Sequence, residues 1–222
     1  MATEAARVRT ASRGLQDFEL PLIGAAGGSA ERAAVLARRH VAAGATGLVS
    51  FGIAGGLDPS LLPGDIVIGA SVWRDSGPLL EMTAPWAQSM AARLQPSCRI
   101  RVGGIAGIDA PVVSPAAKAD LGFRTGALAV DMESHGVASV AAEIGIPVLV
   151  IRAIADPSLR AIPAAALAGM GPDGRQRPFA VLARLLVRPH DLPGLIRLAG
   201  DSAAAMRSLA VAARILIREG NG

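Results

Sequence analysis

The chain has 222 residues, of which 51% are hydrophobic and 18% charged, and its formal net charge is +4. This length suits one α/β domain, and the apolar content excludes a chain that is mainly disordered. Aromatic residues make up only 3%, with no tyrosine, so the side chains that stack on single-stranded nucleic acid are scarce and no nucleic-acid partner is expected. Lys118 is the only lysine, and the other basic residues are arginines. The mild positive charge permits binding to phosphate or to an anionic membrane but requires neither.

The single cysteine, Cys98, excludes a disulfide framework, and no Cys/His spacing typical of a structural zinc site is present. We therefore expect no metal, no cofactor and a reducing, cytoplasmic location. The first residues, 1–4, lack the basic segment and apolar core of a secretory signal. The longest uncharged stretch, residues 41–57, is short for a bilayer span of about 20 residues, so no transmembrane helix is expected.

Hydrophobic periodicity predicts strand, turn and helix at the start of the chain. A short apolar run at residues 19–24 leads into a glycine-rich turn, and a helical pattern runs from Ser29 to about Ala43. Ser29 can cap this helix and Gly44 can end it before a second apolar run at residues 47–51. Such a βαβ unit implies parallel strands. Residues 63–72 predict a turn that leads into a further strand, and strands are also predicted at residues 99–105, 128–130 and 146–154. A helix is predicted at residues 84–94, and another follows Asp131-Met132-Glu133-Ser134 and reaches about Ile144.

The C-terminal third is predicted to be a loop followed by helices. Residues 163–178 are rich in Ala, Gly and Pro, which is typical of a loop, and helical patterns follow at residues 179–187 and 201–218. The last helix places three arginines, Arg207, Arg214 and Arg218, on one face. Its apolar face can dock on the sheet, or the helix can lie on a membrane surface.

Three segments place polar or glycine residues where predicted strands end, which is where ligands bind in open α/β sheets. They are the glycine-rich run 50–59, the sequence Asp131-Met132-Glu133-Ser134, and the run from Arg152 to Asp156. Each also has a structural interpretation: glycines serve packing, Glu133 favours a helix N-terminus, and an Asp before Pro caps a turn. The joint occurrence of all three in this order is more specific than any one.

These residues resemble a known family. Gly52-Ile-Ala-Gly-Gly-Leu57 with Pro63-Gly-Asp65, Val130-Asp-Met-Glu133 and Ile151-Arg-Ala-Ile-Ala-Asp156 are similar to motifs of the purine nucleoside phosphorylase and nucleosidase superfamily. Ser50–Pro59 and Val130–His135 resemble more closely the hopanoid-associated phosphorylases, which remove adenine from adenosylhopane. The resemblance extends over the whole chain. It implies a single domain, residues 1–222, with a three-layer α/β/α sandwich around a central mixed sheet, and a homo-oligomer, a dimer by family precedent.

The resemblance implies a role for several residues in cleaving a purine N-glycosidic bond. By motif position, Asp156 is the general acid that protonates the departing adenine, and burial should raise its pKa. Glu133 binds the ribose hydroxyls, and Met132 packs on the sugar. The backbone at Pro111 and Val112 recognises the adenine edge, and Pro111 stands where relatives often have a stacking aromatic residue. The remaining substrate contacts are expected from Gly52, Ala54, Gly55 and Arg152.

The position of the family's water-activating carboxylate is taken by Glu4, in the same polar cluster as Arg152. Only three residues precede Glu4, where the family has a strand, so either the chain starts upstream or its first strand is missing. Phosphorylases place a cationic residue and a hydroxyl in the first glycine-rich motif, where this sequence has Ser50 and Ile53. An apolar Ile53 cannot bind phosphate, so hydrolysis is favoured over phosphorolysis, with phosphate retained as an alternative co-substrate. Three arginines near Glu4 can substitute as phosphate ligands or form a solvated face: Arg7, Arg9 and Arg13.

Adenosylhopane as substrate implies that the lipid either leaves the pocket through an apolar channel or reaches toward a bilayer, and the second alternative implies peripheral contact with the inner face of the membrane. Two alternatives stay open: a nucleosidase for methylthioadenosine or adenosylhomocysteine, and a non-catalytic module that binds adenine nucleosides. Against a dinucleotide-binding module, Gly52–Gly56 lacks the GxGxxG register. His135 can position the ribose or make a structural hydrogen bond, and His40 and His190 receive no role.

Overall fold

The computed structural model describes residues 22–168, 184 and 187–219. Their strands are β1 (Leu48–Gly56), β2 (Ile66–Arg74), β3 (Leu80–Glu81), β4 (Ile100–Gly107), β5 (Ala129–Asp131) and β6 (Val148–Asp156). The α-helices are α1 (Ala30–Ala42), α2 (Ala84–Leu94), α3 (Pro115–Thr125), α4 (Ser134–Ile144), α5 (Ala164–Ala168) and α6 (Leu192–Glu219). A 3₁₀ turn, Pro189–Asp191, precedes α6. No helix in the described part of the chain is long and apolar enough to cross a membrane.

The strands form one mixed sheet that closes on itself. Its order is β3-β2-β4-β5-β1-β6, and β2 pairs with β6 as well. β1 runs parallel to β6 and antiparallel to β5, whereas β4 runs parallel to both β2 and β5. Because Ile66–Ile68 of β2 pair antiparallel with Ile151–Ala153 of β6, five strands complete a ring. The predicted mixed α/β architecture is confirmed, and the sheet is closed, since β2 bonds to β4 on one edge and to β6 and β3 on the other.

Helices cover the sheet on two sides, and β6, whose alternate side chains point to opposite faces, is therefore buried along its whole length. Val150 and Ile154 pack in a core that includes residues of α1 and α4. Leu149 and Ile151 pack in a second core that includes residues of α2 and α6. The expected docking of the last helix on the sheet is thereby confirmed, and Arg207 and Arg214 are exposed on α6.

Local signals account for the helix ends that were predicted well. Ser29 caps α1 by accepting a hydrogen bond from the Arg32 amide, and α4 ends at Gly145, whose φ is +78°. A left-handed conformation of this kind favours glycine. Gly136 of α4 lies against α1, since a Cβ at Gly136 would be 2.2 Å from the Ala30 carbonyl oxygen. The two helices therefore approach each other as closely as backbone allows.

Several predicted boundaries need correction. Residues 22–24 form no strand, and the remainder of the predicted strand at 19–24 lies outside the described residues. The helix α3 and the short strand β3 were not predicted, and α5 lies within the predicted loop at 163–178. The last helix begins at Leu192 instead of residue 201. The helix predicted at 179–187 falls almost entirely outside the described residues.

Candidate active site

Strand pairing brings the three sequence segments together. β1 lies between β5 and β6, and Gly55 is in register with both Val130 and Asp156. A Cβ at Gly55 would lie 3.1 Å from Val130 Cγ1 and 3.7 Å from Asp156 Oδ2. A larger residue at Gly55 would therefore compete with its neighbours for space beside the Asp156 carboxylate. The glycine-rich run thus keeps the three segments in close contact.

The first polar group at this junction is a buried network around Arg152, which is only 1% exposed. Its Nε donates to Asp131 Oδ2 at 2.6 Å, its Nη2 donates to Ser50 Oγ at 2.6 Å, and its Nη1 donates to the Ile151 carbonyl at 3.0 Å. Asp131 accepts two further bonds, from the Ser134 amide at 3.0 Å and the Ser134 hydroxyl at 2.6 Å. This network joins β1, β5, β6 and the start of α4. The expected contact of Arg152 with substrate stays a prediction.

The second polar group is an ion pair between Asp156 and Lys118. Lys118 Nζ lies 2.6 Å from Asp156 Oδ2, and the Lys118 side chain is 0% exposed. The ammonium also donates to the carbonyls of Pro157 at 3.0 Å and Arg160 at 2.8 Å. Helix α3 supplies this lysine, with Ser114 as its N-cap and Gly126, at φ +66°, as its C-cap. The pair attaches α3 to the end of β6.

Opposing effects determine the ionisation of Asp156, which is 9% exposed. Burial raises the pKa of its carboxyl above the ordinary range, in the direction expected for an acid. The hydrogen bond and the positive charge of Lys118 act in the opposite direction, and smaller contributions come from Asp201, which raises the pKa, and Arg160, which lowers it. Burial prevails, so the structure favours the protonated form more than water does.

Asp156 also lines an open pocket of about 260 Å³ between the segment after β6 and the start of α6. Apolar side chains on its wall include Leu159, Pro163 and Leu198, and the charged ones are Arg160, Arg197 and Asp201. Leu159 is 74% exposed at the rim. The Asp156 carboxyl thus borders a space that combines apolar and cationic surface, and none of the other predicted site residues that the structure describes lines that space.

Glu133 and Met132 lie between β5 and α4, and both are partly buried. Glu133 is the residue before α4, and its Oε1 accepts a 2.6 Å hydrogen bond from the Gly28 amide. Gly28 has φ +75°, so the glycine-rich turn before α1 is in contact with this carboxylate. The turn therefore positions Glu133, a contact that the sequence separation of 105 residues concealed.

The segment expected to recognise the base is fixed to the segment after Asp156. Pro111 is exposed and Val112 is partly buried against a small core beneath α3. The next residue, Val113, accepts a 3.0 Å backbone hydrogen bond from Ile162. The structure thus links the expected base-binding segment to the loop that follows Asp156, while the adenine contact itself stays a prediction.

His135 makes a hydrogen bond within the protein, because its Nε2 lies 3.1 Å from Asp109 Oδ1. Its Nδ1 is buried without a hydrogen-bond partner among the described residues. A Cβ at Gly107 would lie 2.5 Å from this nitrogen, so the imidazole rests directly on β4.

The remaining predicted site residues divide into two groups. Gly52 and Gly55 lie on β1 near the polar residues, whereas the Ala54 side chain is part of the hydrophobic core and leaves only its backbone for a ligand. Glu4 and three arginines, Arg7, Arg9 and Arg13, lie outside the described residues. Across residues 22–168 and 187–219, no three His, Cys, Asp or Glu side chains are grouped as a metal site.

Sequence analysis did not identify Lys118 as a partner of Asp156. One signal was available, since Lys118 is the only lysine among 22 Lys and Arg residues. A small ammonium can satisfy three close acceptors in a space that a planar guanidinium fits less well. Composition alone could not say which acceptors these would be.

Comparison with known proteins supplies independent information. A family model described as the phosphorylase superfamily matches residues 5–186. A search of curated proteins found no match to the sequence. The fold resembles a Helicobacter pylori 5'-methylthioadenosine/S-adenosylhomocysteine nucleosidase with TM-score 0.67 and 17% identity, covering 100% of this chain and 94% of that chain.

Two further structures share the fold. An S-adenosylhomocysteine nucleosidase from Streptococcus pyogenes has TM-score 0.57 and 22% identity over 60% of this chain and 65% of its own. A futalosine hydrolase mutant from H. pylori has TM-score 0.60 and 21% identity over 69% of this chain and 85% of its own. At these identities the structural likeness establishes the fold.

Proposed function

The chain belongs to the phosphorylase superfamily and is an enzyme of the nucleosidase or nucleoside phosphorylase type, and from this premise we propose that it releases adenine from a 5'-substituted adenosine. The observation that carries the proposal is the environment of Asp156. Its carboxyl is buried at the end of β6, has a raised pKa and lines a pocket. A protonated carboxyl in such a place can act as a general acid.

In the proposed reaction, Asp156 gives its proton to N7 of the purine while the bond between C1' and N9 breaks. The bonding electrons leave with the base, and the ribose develops oxocarbenium character. Glu133, held by the Gly28 amide, binds the ribose hydroxyls and adds negative charge near the developing cation. Water or phosphate then attacks C1', so the reaction requires no cofactor.

We further propose water as the acceptor. Ser50, which stands where phosphorylases place a cationic residue, offers phosphate no positive charge, and its hydroxyl accepts a hydrogen bond from the buried Arg152 guanidinium. Ile53 is partly buried and packs against the second core, so its apolar side chain offers phosphate no hydrogen bond. Both observations support hydrolysis, with Glu4 proposed as the base that activates the water.

For the substrate we propose adenosylhopane. The resemblance of residues 50–59 and 130–135 to hopanoid-associated phosphorylases supports this choice. Exposed apolar side chains near the pocket also support it, because Leu159 lies at the rim and Leu192 and Ile196 are exposed on the first turns of α6. Such a surface can accompany a lipid chain out of the pocket.

A second substrate class, methylthioadenosine or adenosylhomocysteine, is favoured by the structural relatives. The H. pylori nucleosidase was solved with a ligand that carries an aminopyrrolopyrimidine and a propynylthio group, and the S. pyogenes nucleosidase with 5-methylthiotubericidin. Both ligands have small sulfur-containing substituents. The size of the 5' group therefore distinguishes the two substrate classes.

The test is adenine release from adenosylhopane and from methylthioadenosine, each with and without phosphate. We expect release from the lipid nucleoside without phosphate. Asp156→Asn should lower the rate about 10²–10⁴-fold, the range that a general acid supplies, whereas Asp120→Asn, in an exposed ion pair with Arg124, should not. Strict dependence on phosphate would refute hydrolysis, and activity on methylthioadenosine alone would refute the lipid substrate. Binding of nucleosides without cleavage would show a binding module instead.

Peripheral membrane contact is proposed together with the lipid substrate. The exposed arginines Arg188, Arg197, Arg207 and Arg214 accompany the apolar side chains of Leu192 and Ile196. The protein should sediment with anionic liposomes at low salt and be released at high salt, because exposed charges are screened. No binding at low salt would exclude this contact without affecting the assignment of the reaction. The expected homo-oligomer is tested separately by sedimentation velocity.

A further inference from the structure

We propose that Lys118 is a positioning residue for Asp156, holding one carboxylate oxygen and stabilising the negative charge that forms when Asp156 gives up its proton. This inference rests on the proposed function, because it assigns Asp156 as the acid. It adds a residue on a different element, α3, to the reaction. Lys118 is not expected to touch the substrate, since its side chain is 0% exposed.

Three hydrogen-bond acceptors fix the position of the Lys118 ammonium group. Lys118 Nζ has three hydrogens, and three oxygens accept them: Asp156 Oδ2 at 2.6 Å, the Pro157 carbonyl at 3.0 Å and the Arg160 carbonyl at 2.8 Å. The two carbonyls belong to the backbone immediately after Asp156. Lys118 therefore fixes both the carboxylate and the segment that forms one side of the pocket.

This arrangement also orients the acid. The ion pair uses Oδ2, which leaves Oδ1 as the oxygen to carry the transferable proton toward the base. On proton transfer, Oδ1 loses its hydrogen to N7, the C1'–N9 electrons move to the base, and Asp156 becomes a carboxylate. Lys118 keeps all its protons throughout and neutralises that carboxylate at a distance where an opposite charge is strongly stabilising in a buried site.

The positive charge of Lys118 opposes the effect of burial on the pKa of Asp156. A carboxyl buried without a cation holds its proton tightly and is a poor donor, whereas one matched to the working pH is an efficient donor. The other charged groups near Asp156 are Arg160 on the following segment, and Asp201 and Arg197 on α6. Arg160 forms an ion pair with Asp201, so these two charges oppose each other, and Lys118 is the cation in direct contact with Asp156.

The kinetic test compares wild type with Lys118→Met and Lys118→Gln. Met replaces the ammonium by an apolar group of similar length, and Gln keeps a hydrogen-bond donor in case Met prevents folding. Without the cation, the alkaline limb of kcat/KM should move to higher pH by about 1–3 pH units, the usual effect of a close opposite charge. We expect kcat to fall about 10-fold to 100-fold, within the contribution of a general acid.

The matched control is Arg124→Met, which removes one positive charge from an exposed ion pair on the same helix. It should leave both the pH profile and kcat unchanged. A merely structural Lys118 would lower the yield or the melting temperature of its variants without moving the alkaline limb. Folded Lys118 variants whose pH profile matches that of wild type would therefore overturn the proposal.

A second readout does not depend on activity. Because Lys118 is the only lysine, ¹⁵N-lysine labelling gives one side-chain ammonium signal. Asp156→Asn should move this signal, while Asp120→Asn should not. If wild type releases no adenine from any nucleoside, the proposed function fails, and the ammonium signal still decides whether Lys118 holds Asp156. A signal that is insensitive to Asp156→Asn overturns the pairing even in an active enzyme.

Discussion

Replacing Arg152 by Met tests whether the buried network holds the sheet together. The substitution removes the Arg152 hydrogen bonds to Asp131, Ser50 and the Ile151 carbonyl, and it leaves the Asp131 carboxylate buried without its cation. Met has nearly the length of the apolar part of Arg and fills much of the same space. The lost stability therefore comes chiefly from the unpaired charge.

The expected loss follows from what remains around Asp131. Removing one partner of a buried ion pair costs about 3–5 kcal/mol. Asp131 keeps two donors, the Ser134 amide and hydroxyl, so we expect the lower end, about 3 kcal/mol. Against a typical total of about 5–15 kcal/mol this is a large fraction.

Urea unfolding followed by circular dichroism measures the effect. A loss of about 3 kcal/mol lowers the midpoint by about 1–3 M at the usual dependence on urea. Adding Asp131→Asn to Arg152→Met should cost less than the sum of the two single changes, because the double variant has no unpaired charge. A loss below about 1 kcal/mol for Arg152→Met, or strict additivity, would show that the network contributes little and refute the reasoning.

Two further predictions concern the helix contact and the acid. Gly136→Ala adds a Cβ that would lie 2.2 Å from the Ala30 carbonyl oxygen, so α1 and α4 must move apart. We expect the melting temperature to fall. A melting temperature equal to that of wild type would disprove the close approach of the two helices. For Asp156, burial raises the pKa in the folded state, so folding favours the protonated form. Wild-type stability relative to Asp156→Asn should therefore be greatest below the ordinary Asp pKa and fall as pH rises through the raised value. Thermal unfolding at several pH values measures this difference, and a difference that grows with pH would contradict it.

Helices α2 and α4 and the buried strand β6 were predictable because their sequence signals are local. Periodicity predicts a helix at residues 84–94, which are the bounds of α2, and a helix after residues 131–134 that reaches about Ile144, where α4 ends. The strand at 146–154 was recognised from a continuous apolar run, and Asp156 was correctly placed at its end. Each of these assignments depends on side chains within a few positions of one another.

Helix α3 escaped prediction because its pattern contradicts hydrophobic periodicity twice. Its fully buried side chain is Lys118, which counts as polar, and its large aromatic side chain, Phe123, is 92% exposed. The capping signals were present at Ser114, Pro115 and Gly126. The ion pair with Asp156 and the hydrogen bonds to the Pro157 and Arg160 carbonyls explain why a lysine faces the interior, and these contacts span distant parts of the sequence.

The start of α6 was missed for a different reason. Pro193, Gly194 and Gly200 look like helix breakers in the sequence. Pro193 lies in the first turn, where its missing N–H costs nothing. Gly194 packs against Pro163, where a Cβ would lie 2.9 Å from the proline Cγ. Gly194 thus allows a close contact between the first turn of α6 and the segment after β6.

Closure of the sheet restricts how copies of this protein can associate. An open sheet has an unpaired edge on which another chain can add a strand. In the described part of the chain, the ring is narrowest at β5, where β1 pairs through Gly55 and Gly56 and β4 through Ile105–Gly107, and β3, with two residues, is the outer strand. The β3 edge therefore offers another chain few backbone groups for pairing. Around β3, association of copies would have to use helix and loop surfaces, which side-chain chemistry can make specific.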